Sequence, residues 1–372
     1  MRRNLARLQT AWSGSATRSE CSLHQLAPYI GKLKTSIART LINEFSHPGE
    51  KVFDPFSGSG VVPLESLLLG RSVIANDLNP YAAVLTRAKL FPLPGAAGAT
   101  SRAAEYIVLA KELAKRRNYQ VQAPAWVRDF YHPRTLAEVK VLADLLLRGR
   151  QWFLLANLLG ILHHQRPGFL SYPSSHLVPY LRSRRFPRDK YPEMYRYRDV
   201  APRLAAKIAR SYRRFDGFKE HLTRTVTRTD VSRLTMCMKA DVAVTSPPYM
   251  NALDYGRDNR LRLWFLGVSD YRSMDRLTSP SPTEFHSFMV RLGLLLSRTI
   301  RPRGRAVLVV GEVRKRRLVL DTDRIVRSAF EDHAGGWKLA SNILDFVPDV
   351  RRSRRECHGT KREWIMIFER TD

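Results

Sequence analysis

Apolar positions along this chain fall into short continuous runs separated by stretches of helical periodicity. KVFDPF, from Lys51 to Phe56, is an apolar run bounded by turn residues and predicts a buried strand. Val61 to Leu69 carries an apolar helical pattern that stops at Gly70, a residue favoured just past a helix end. Ser72 to Ala75 is a second buried run, closed by Asn76-Asp77. Asn79-Pro80 then opens a helix through about Leu90, with Asn as cap and Pro in the first helical position. Upstream, His24 to Phe45 ends in an amphipathic helix with Ile37, Leu41, Ile42 and Phe45 on one face.

FPLPGAAGAT, from Phe91 to Thr100, breaks the pattern and marks a boundary. Helical periodicity returns over Ser101 to Arg117 and Pro133 to Leu147, then over a more apolar helix from Trp152 to His164. His221 to Asp230 alternates as a strand does, and DVAVT, from Asp241 to Thr245, is another buried run. Phe285 to Arg298 is an amphipathic helix, Pro302-Arg303-Gly304 a turn, and RAVLVVGEV a fully buried strand. Asp323 to Glu331, Lys338 to Val347 and Glu363 to Glu369 supply one helix and two terminal strands. Seven strands alternating with helices predict a doubly wound α/β sheet, with right-handed crossovers and helices on both faces.

Charge changes the picture. The 372 residues hold 63 Lys and Arg against 34 Asp and Glu, a net +29 that implies a polyanionic partner. The excess peaks between Arg182 and Arg228, where 15 basic residues meet 5 acidic ones. Rings are interleaved there: Phe186, Tyr191, Tyr195, Tyr197, Tyr212, Phe215 and Phe218. Basic side chains neutralise phosphates and flat rings stack on bases, so this stretch reads as a nucleic-acid surface, with Arg182, Arg184 and Arg185 as candidate contacts. The bland reading is a solvated basic face whose rings hold a local core.

Several classes are disfavoured. No apolar run reaches the ~18 residues of a membrane span, and the N-terminus lacks the apolar core of a secretory signal. Cys21, Cys237 and Cys357 form neither a disulfide framework nor a zinc pattern, which fits a reducing cytoplasm. His163-His164 points to different helix faces and predicts no metal.

The chemistry-bearing residues sit between the first two strands. Gly58 and Gly60 let the backbone turn tightly and approach a ligand. Asp77 follows Asp54 at roughly the 20-residue offset at which a carboxylate meets a ribose hydroxyl pair. No GK[ST] is present, so a nucleoside triphosphate loop is disfavoured.

DPFSGSG with an acid after the next strand resembles motif I of S-adenosylmethionine-dependent methyltransferases that act on exocyclic amines of DNA bases. That family also carries [DNS]PP[YFW] at the end of a later strand, and Ser246-Pro247-Pro248-Tyr249 stands after DVAVT. The chain is thus similar to the N-4/N-6 DNA methylases of the TSPPY type, over about residues 20–95 and 220–370. The resemblance implies a seven-stranded Rossmann-like methyltransferase sheet with a largely helical, basic insertion. Its parts would be a basic arm (1–20), a first methyltransferase part (21–95), a target-recognition insertion (96–220) and a second methyltransferase part (221–372).

It implies S-adenosyl-L-methionine as cofactor, held by Asp54, Pro55, Phe56, Gly58 and Gly60, with Asp77 on the ribose and Asp230 at the adenine. His24 and Lys32 fall in a segment like motif X and become cofactor contacts. Ser246 and the Pro247 carbonyl would accept the amine's hydrogens, Pro248 would help lock the backbone, and Tyr249 would stack on a flipped base. Asp254, Tyr255 and Arg257 would lie beside that base. Neither a metal nor a covalent cysteine is required. Ser in the first motif position resembles the cytosine N-4 subset, the favoured reading. Adenine N-6, an RNA base amine, and a non-catalytic DNA-binding module are the alternatives. DNA is the implied partner, with a cognate restriction or defence nuclease as a further one; no membrane is implied, and the cytoplasm of a prokaryotic cell or its phage is the expected location.

Overall fold

Seven strands form one mixed sheet: β1 (Lys51–Asp54), β2 (Ser72–Asn76), β3 (Arg224–Thr227), β4 (Ala240–Thr245), β5 (Ile300–Gly311), and the late pair Trp337–Val347 and Lys361–Arg370. Two short strands between β5 and that pair, β6 (Val313–Lys315) and β7 (Leu318–Leu320), make a separate hairpin, so the late pair is β8 and β9. The sheet order is β3-β2-β1-β4-β5-β9-β8. The first five strands are parallel; β9 runs antiparallel to both β5 and β8. This is a doubly wound, Rossmann-like α/β sheet, as the pattern predicts. The computed structural model describes Trp12 and residues 20–116, 121–163, 169–171, 186–219, 221–235, 239–249, 255–275, 281–315, 318–347 and 361–371.

The helices are α1 (Thr35–Phe45), α2 (Val61–Leu68), α3 (Pro80–Leu90), α4 (Ala96–Arg116), α5 (Pro133–Arg148), α6 (Trp152–Ile161), α7 (Val200–Ser211), α8 (Tyr255–Phe265), α9 (Pro282–Thr299) and α10 (Thr322–Ser328), with single turns between some of them. Strands that read as unbroken apolar runs still alternate between two faces. Phe53, Ala243, Ala306, Leu308 and Met366 join Phe285, Met289 and Leu292 of α9 in one core. Val52, Val242, Val244, Val307 and Ile365 join Ile37, Leu41 and Ile42 of α1 on the other.

The helices of the 96–220 stretch form a third core that also takes in Val84 and Leu85 of α3 and Leu261 and Phe265 of α8. α6 runs through it with every residue after Trp152 buried. Gly160 lets it approach: a Cβ there would stand 2.1 Å from the Leu26 carbonyl oxygen. Asn157 Nδ2 donates to Phe153 O at 2.8 Å, and its Oδ1 accepts from Ser211 Oγ of α7 at 2.7 Å. Among the described residues no helix is long and apolar enough to cross a membrane.

Two local expectations change. The Pro302–Gly304 turn is a bulge inside β5, where the register jumps from Ala240↔Ile300 to Val242↔Arg305 and Arg303 takes a left-handed φ of 58°. Trp12, inside the stretch read as a basic arm, is 1% exposed; its Nε1 donates to Asp345 Oδ1 at 3.2 Å and its carbonyl accepts from Ser36 Oγ at 3.0 Å. A large ring with a satisfied N–H belongs to a core, not to a solvated arm.

Candidate active site

The carboxyl ends of β1, β2 and β4 open onto one cavity of about 430 Å³. Open α/β sheets bind ligands at this position, and the volume falls within the ~300–1,000 Å³ typical of ligand pockets. Asp54, Phe56, Gly58, Asp77, Asp230, Ser246, Pro248 and Tyr249 all line it, although they come from four separate stretches of chain.

Asp54 closes β1. Its Oδ1 accepts from Thr245 Oγ1 at 2.6 Å and from Phe56 N at 3.2 Å. The hydroxyl belongs to the last residue of β4, directly before Ser246. The Gly-rich turn and the SPPY segment are therefore tied by one short bond across 191 positions of sequence. Burial pushes the Asp54 carboxyl up to about 7.

Asp77 does the same for the next corner. Its Oδ2 accepts from Gly58 N at 2.8 Å and its Oδ1 from Asn79 N at 2.9 Å. Burial raises it to about 6, against which both backbone donors work. Asn79 caps α3 by accepting from Tyr81 N at 2.9 Å, with Pro80 in the first turn, as predicted.

The two glycines have different jobs. Gly58 lines the cavity with φ of 50°, and the Tyr29 ring lies 3.5 Å from where its Cβ would be. Gly60 does not line the cavity. It caps α2 with φ of 74°, and a Cβ there would meet Thr86 at 3.0 Å, so it serves close packing of α2 on α3. Pro55 also faces elsewhere, its carbonyl accepting from Asn76 Nδ2 at 3.3 Å. Pro247 sits between lining residues without lining the cavity itself.

Asp230 lies at the cavity wall with Val231 and Ser232. The Ser232 backbone N–H, 2.9 Å from Oδ1, holds its carboxyl below the usual range. Phe288 and Arg291 of α9 complete that wall, and Phe288 meets Phe56 with ring centroids 5.4 Å apart. Phe288 has no local mark as a cavity residue, because a ring on an amphipathic helix reads as core, and Arg291 is one basic residue among many. Tyr29, Gly31, Lys32 and Leu33 cover the other end, just before α1. Of the two contacts expected in this segment, Lys32 lines the cavity. His24 does not: it is buried, and its Nε2 is 2.7 Å from Glu65 Oε1, while Arg39 Nε donates to Glu65 Oε2 at 2.9 Å. Burial lowers the His24 imidazole well below its ordinary range, so it stays neutral beside the glutamate.

The residues fit S-adenosylmethionine. The cavity offers a carboxylate, Asp77, as an acceptor for hydroxyls and an apolar wall of Phe56, Val231 and Phe288 as a face for a purine, and the SPPY segment flanks the same space. Ser59 Oγ is buried at the wall with no hydrogen-bond partner among the described residues, a polar atom left for a ligand.

Tyr249 is 9% exposed, and its hydroxyl donates to Glu363 Oε1 of β9 at 3.2 Å. Arg257 is exposed on α8 and does not line the cavity; Tyr255 opens that helix. Asp254, Arg182, Arg184 and Arg185 lie outside the described residues. The interleaved rings of the basic stretch hold structure instead of standing free. Tyr197 donates to Glu138 Oε2 at 2.8 Å, Tyr212 to Leu93 O at 2.6 Å, Tyr195 to Phe186 O at 2.5 Å, and Phe215 packs on Phe218 at 4.8 Å. Their apolar bodies are worth more buried than offered to solvent, so the local-core reading holds for them. Arginines instead cover several rings: Arg134 lies 4.4 Å over Tyr197, and Arg188 4.9 Å over Tyr195.

The D12 class N6 adenine-specific DNA methyltransferase family matches residues 29–120. No curated protein matches the chain. Among solved structures, TrmN from Thermus thermophilus is 13% identical over 94% of this chain and 52% of its own, with a TM-score of 0.36. The chain thus spans about half the length of that protein. The rRNA methyltransferase AviRa from Streptomyces viridochromogenes is 13% identical over 96% of both chains, with a TM-score of 0.36. The glycopeptide N-methyltransferase MtfA, in complex with S-adenosyl-L-methionine, is 11% identical over 95% of this chain and 99% of its own, at 0.33.

Proposed function

We propose that this chain transfers a methyl group from S-adenosylmethionine to the exocyclic amine of a flipped base in DNA. The observation that carries the reading is the convergence of Asp77, the Gly58 turn and Ser246 to Tyr249 on one cavity. Asp77 would accept from the ribose hydroxyls, and Phe56, Val231 and Phe288 would flank the adenine. The cofactor supplies the methyl group as a sulfonium. The chain's own work is to hold the amine. That amine is a poor nucleophile because its lone pair is delocalised into the ring. Ser246 Oγ and the Pro247 carbonyl would take its hydrogens, which lets the nitrogen become tetrahedral in line with the methyl group. Pro247 and Pro248 lock the backbone and offer no competing N–H.

Adenine N-6 is placed first, supported by the D12 family match. Cytosine N-4, the favoured reading of the motif alone, rests on Ser246 in the first position. The net charge of +29 supports a polyanionic substrate for either. A DNA substrate would place the chain with the nucleoid of a prokaryotic cell, and a cognate nuclease would be the natural partner of a site-specific methylase. The test is transfer of a tritiated methyl group to unmodified DNA and to RNA, followed by nucleoside chromatography. N6-methyladenine in DNA is expected. N4-methylcytosine would favour the second reading, while label only in RNA or in 5-methylcytosine would reject the proposal.

A further inference from the structure

Three side chains stand in line at the cavity wall. Ser246 Oγ lies 3.4 Å from Tyr249 Oη, and Tyr249 Oη lies 3.2 Å from Glu363 Oε1. Their chemistry sets the direction of the hydrogen bonds. A phenol has one hydrogen to donate, and Tyr249 gives it to Glu363 Oε1. Tyr249 Oη is then an acceptor toward Ser246, whose own hydrogen points along the chain of oxygens. The lone pairs of Ser246 are left for a donor in the cavity that it lines. Such a donor is the amine of the proposed function.

Sheet topology makes this arrangement possible. β4 delivers Ser246 and Tyr249 at its carboxyl end. β9 runs the opposite way, so its first residues reach the same edge of the sheet, with Glu363 paired to Gly311 at the end of β5. Ser246 and Tyr249 line the cavity, and Glu363 is half-buried, in contact with solvent. The line of oxygens therefore leads from the reaction space to water.

We propose that Ser246, Tyr249 and Glu363 form a proton relay that carries the surplus proton of the methylated amine out of the cavity. The inference rests on the proposed amino-methyl transfer. The amine's lone pair makes the N–C bond as the C–S pair returns to sulfur, which leaves the nitrogen positive with one hydrogen to lose. That proton passes to Ser246 Oγ, the Ser246 proton to Tyr249 Oη, and the Tyr249 proton to Glu363 Oε1. One proton has moved from amine to carboxylate, both hydroxyls are restored, and nothing is oxidised or reduced. Glu363 then releases the proton to solvent. It acts through Tyr249 and touches no reacting atom, so it is a positioning residue and the end of the relay.

The test separates a relay from a simple prop for the ring. Glu363→Gln keeps an acceptor for the tyrosine hydroxyl but cannot take a proton. Glu363→Asp keeps the carboxylate on a shorter arm. Methyl transfer to mixed-sequence DNA should show kcat lowered roughly 10- to 100-fold in Glu363→Gln, with partial recovery in Glu363→Asp. The pH profile of kcat should change between wild type and the Gln variant. Tyr249→Phe should match Glu363→Gln in both respects. Calorimetry should find S-adenosylmethionine affinity unchanged in all three, which shows that they fold. A second readout needs no turnover. With 13C-labelled tyrosine, the resonance missing from Tyr249→Phe should shift in Glu363→Gln, because its hydrogen bond to a charged acceptor is gone. Wild-type kinetics in Glu363→Gln would overturn the relay and leave the proposed function standing. So would a loss of rate with the pH profile intact, which marks a prop alone. Absence of methyl transfer to any nucleic-acid amine by the wild-type chain would remove the proposed function, and the relay with it.

Discussion

The cavity wall and the helical insertion are made from the same residue types, acids, arginines and rings, put to opposite uses. At the cavity, Asp54 and Asp77 are pulled out of water, and each is held by one backbone donor two residues on and one donor from a separate stretch of chain. In the insertion, Lys111 meets Asp199 at 2.8 Å and Arg102 meets Glu105 at 2.7 Å on partly exposed surfaces, and the rings are packed or capped by arginines. Exposed pairs of this kind are worth little each, about 0–1 kcal/mol. A buried carboxylate is costly and survives only where its geometry is used. Cofactor binding and turnover should therefore answer sharply to single changes at the cavity, and the charged surface of the insertion only to several at once.

Ser246→Ala offers the largest break. It removes an acceptor that strengthens only as the amine becomes tetrahedral, so turnover should drop by roughly two to three orders of magnitude, as for other groups aimed at developing charge. Cofactor affinity in calorimetry should hold. A turnover within a factor of three of wild type would detach Ser246 from the chemistry.

Asp77→Ala comes next. It removes the ribose acceptor and frees the Gly58 turn, and should weaken S-adenosylmethionine binding by about 1.5–3 kcal/mol. The same carboxyl makes a pH test. Burial raises it to about 6 in the free protein, and the ionised form is the one that accepts from two hydroxyls. Affinity should be flat above that value and fall by up to about tenfold per pH unit below it. Calorimetry from pH 5 to pH 8 checks it; an unchanged constant would place the ribose elsewhere.

Gly160→Ala sharpens the comparison from the insertion side. The added methyl meets the Leu26 carbonyl, a backbone atom that cannot swing away. Unfolding free energy should fall by about 1–3 kcal/mol, with cofactor affinity retained. Denaturant melts of both proteins measure the loss, and equal stability would mean that α6 can slide.

The smallest effect is expected from surface charge. Lys115, Arg128 and Arg188 line one groove of the insertion and are exposed. Neutralising all three should leave cofactor binding untouched and reduce the slope of log affinity for DNA against log salt by about one unit per true phosphate contact. Filter binding across a salt series tests it. An unaltered slope would move the DNA surface off this groove.

Local chemistry was enough to reveal the elements and much of the cavity. Strand runs, the Asn79-Pro80 start and the Gly-rich turn are written in neighbouring residues, because propensity, capping and backbone freedom are short-range. Gly58 and Asp77 were legible for that reason, whereas Asp54, Asp230 and Ser246 to Tyr249 came with the family resemblance. α7 carries its own signal, Asp199 as cap with Val200, Leu204 and Ile208 buried on one face, but the charge of the stretch masked it. Other features are long-range and have no local mark. Phe288 and Arg291 reach the cavity only because α9 packs over β1 and β4, and Trp12 finds Asp345 only once β8 is in place. Whether a ring stacks on a base or holds a core depends on what the fold puts beside it. Glu363 is the plainest case. In sequence it is one acid near the start of a terminal strand; only the antiparallel return of β9 brings it to Tyr249, because a hydrogen bond depends on distance in space and not on distance along the chain.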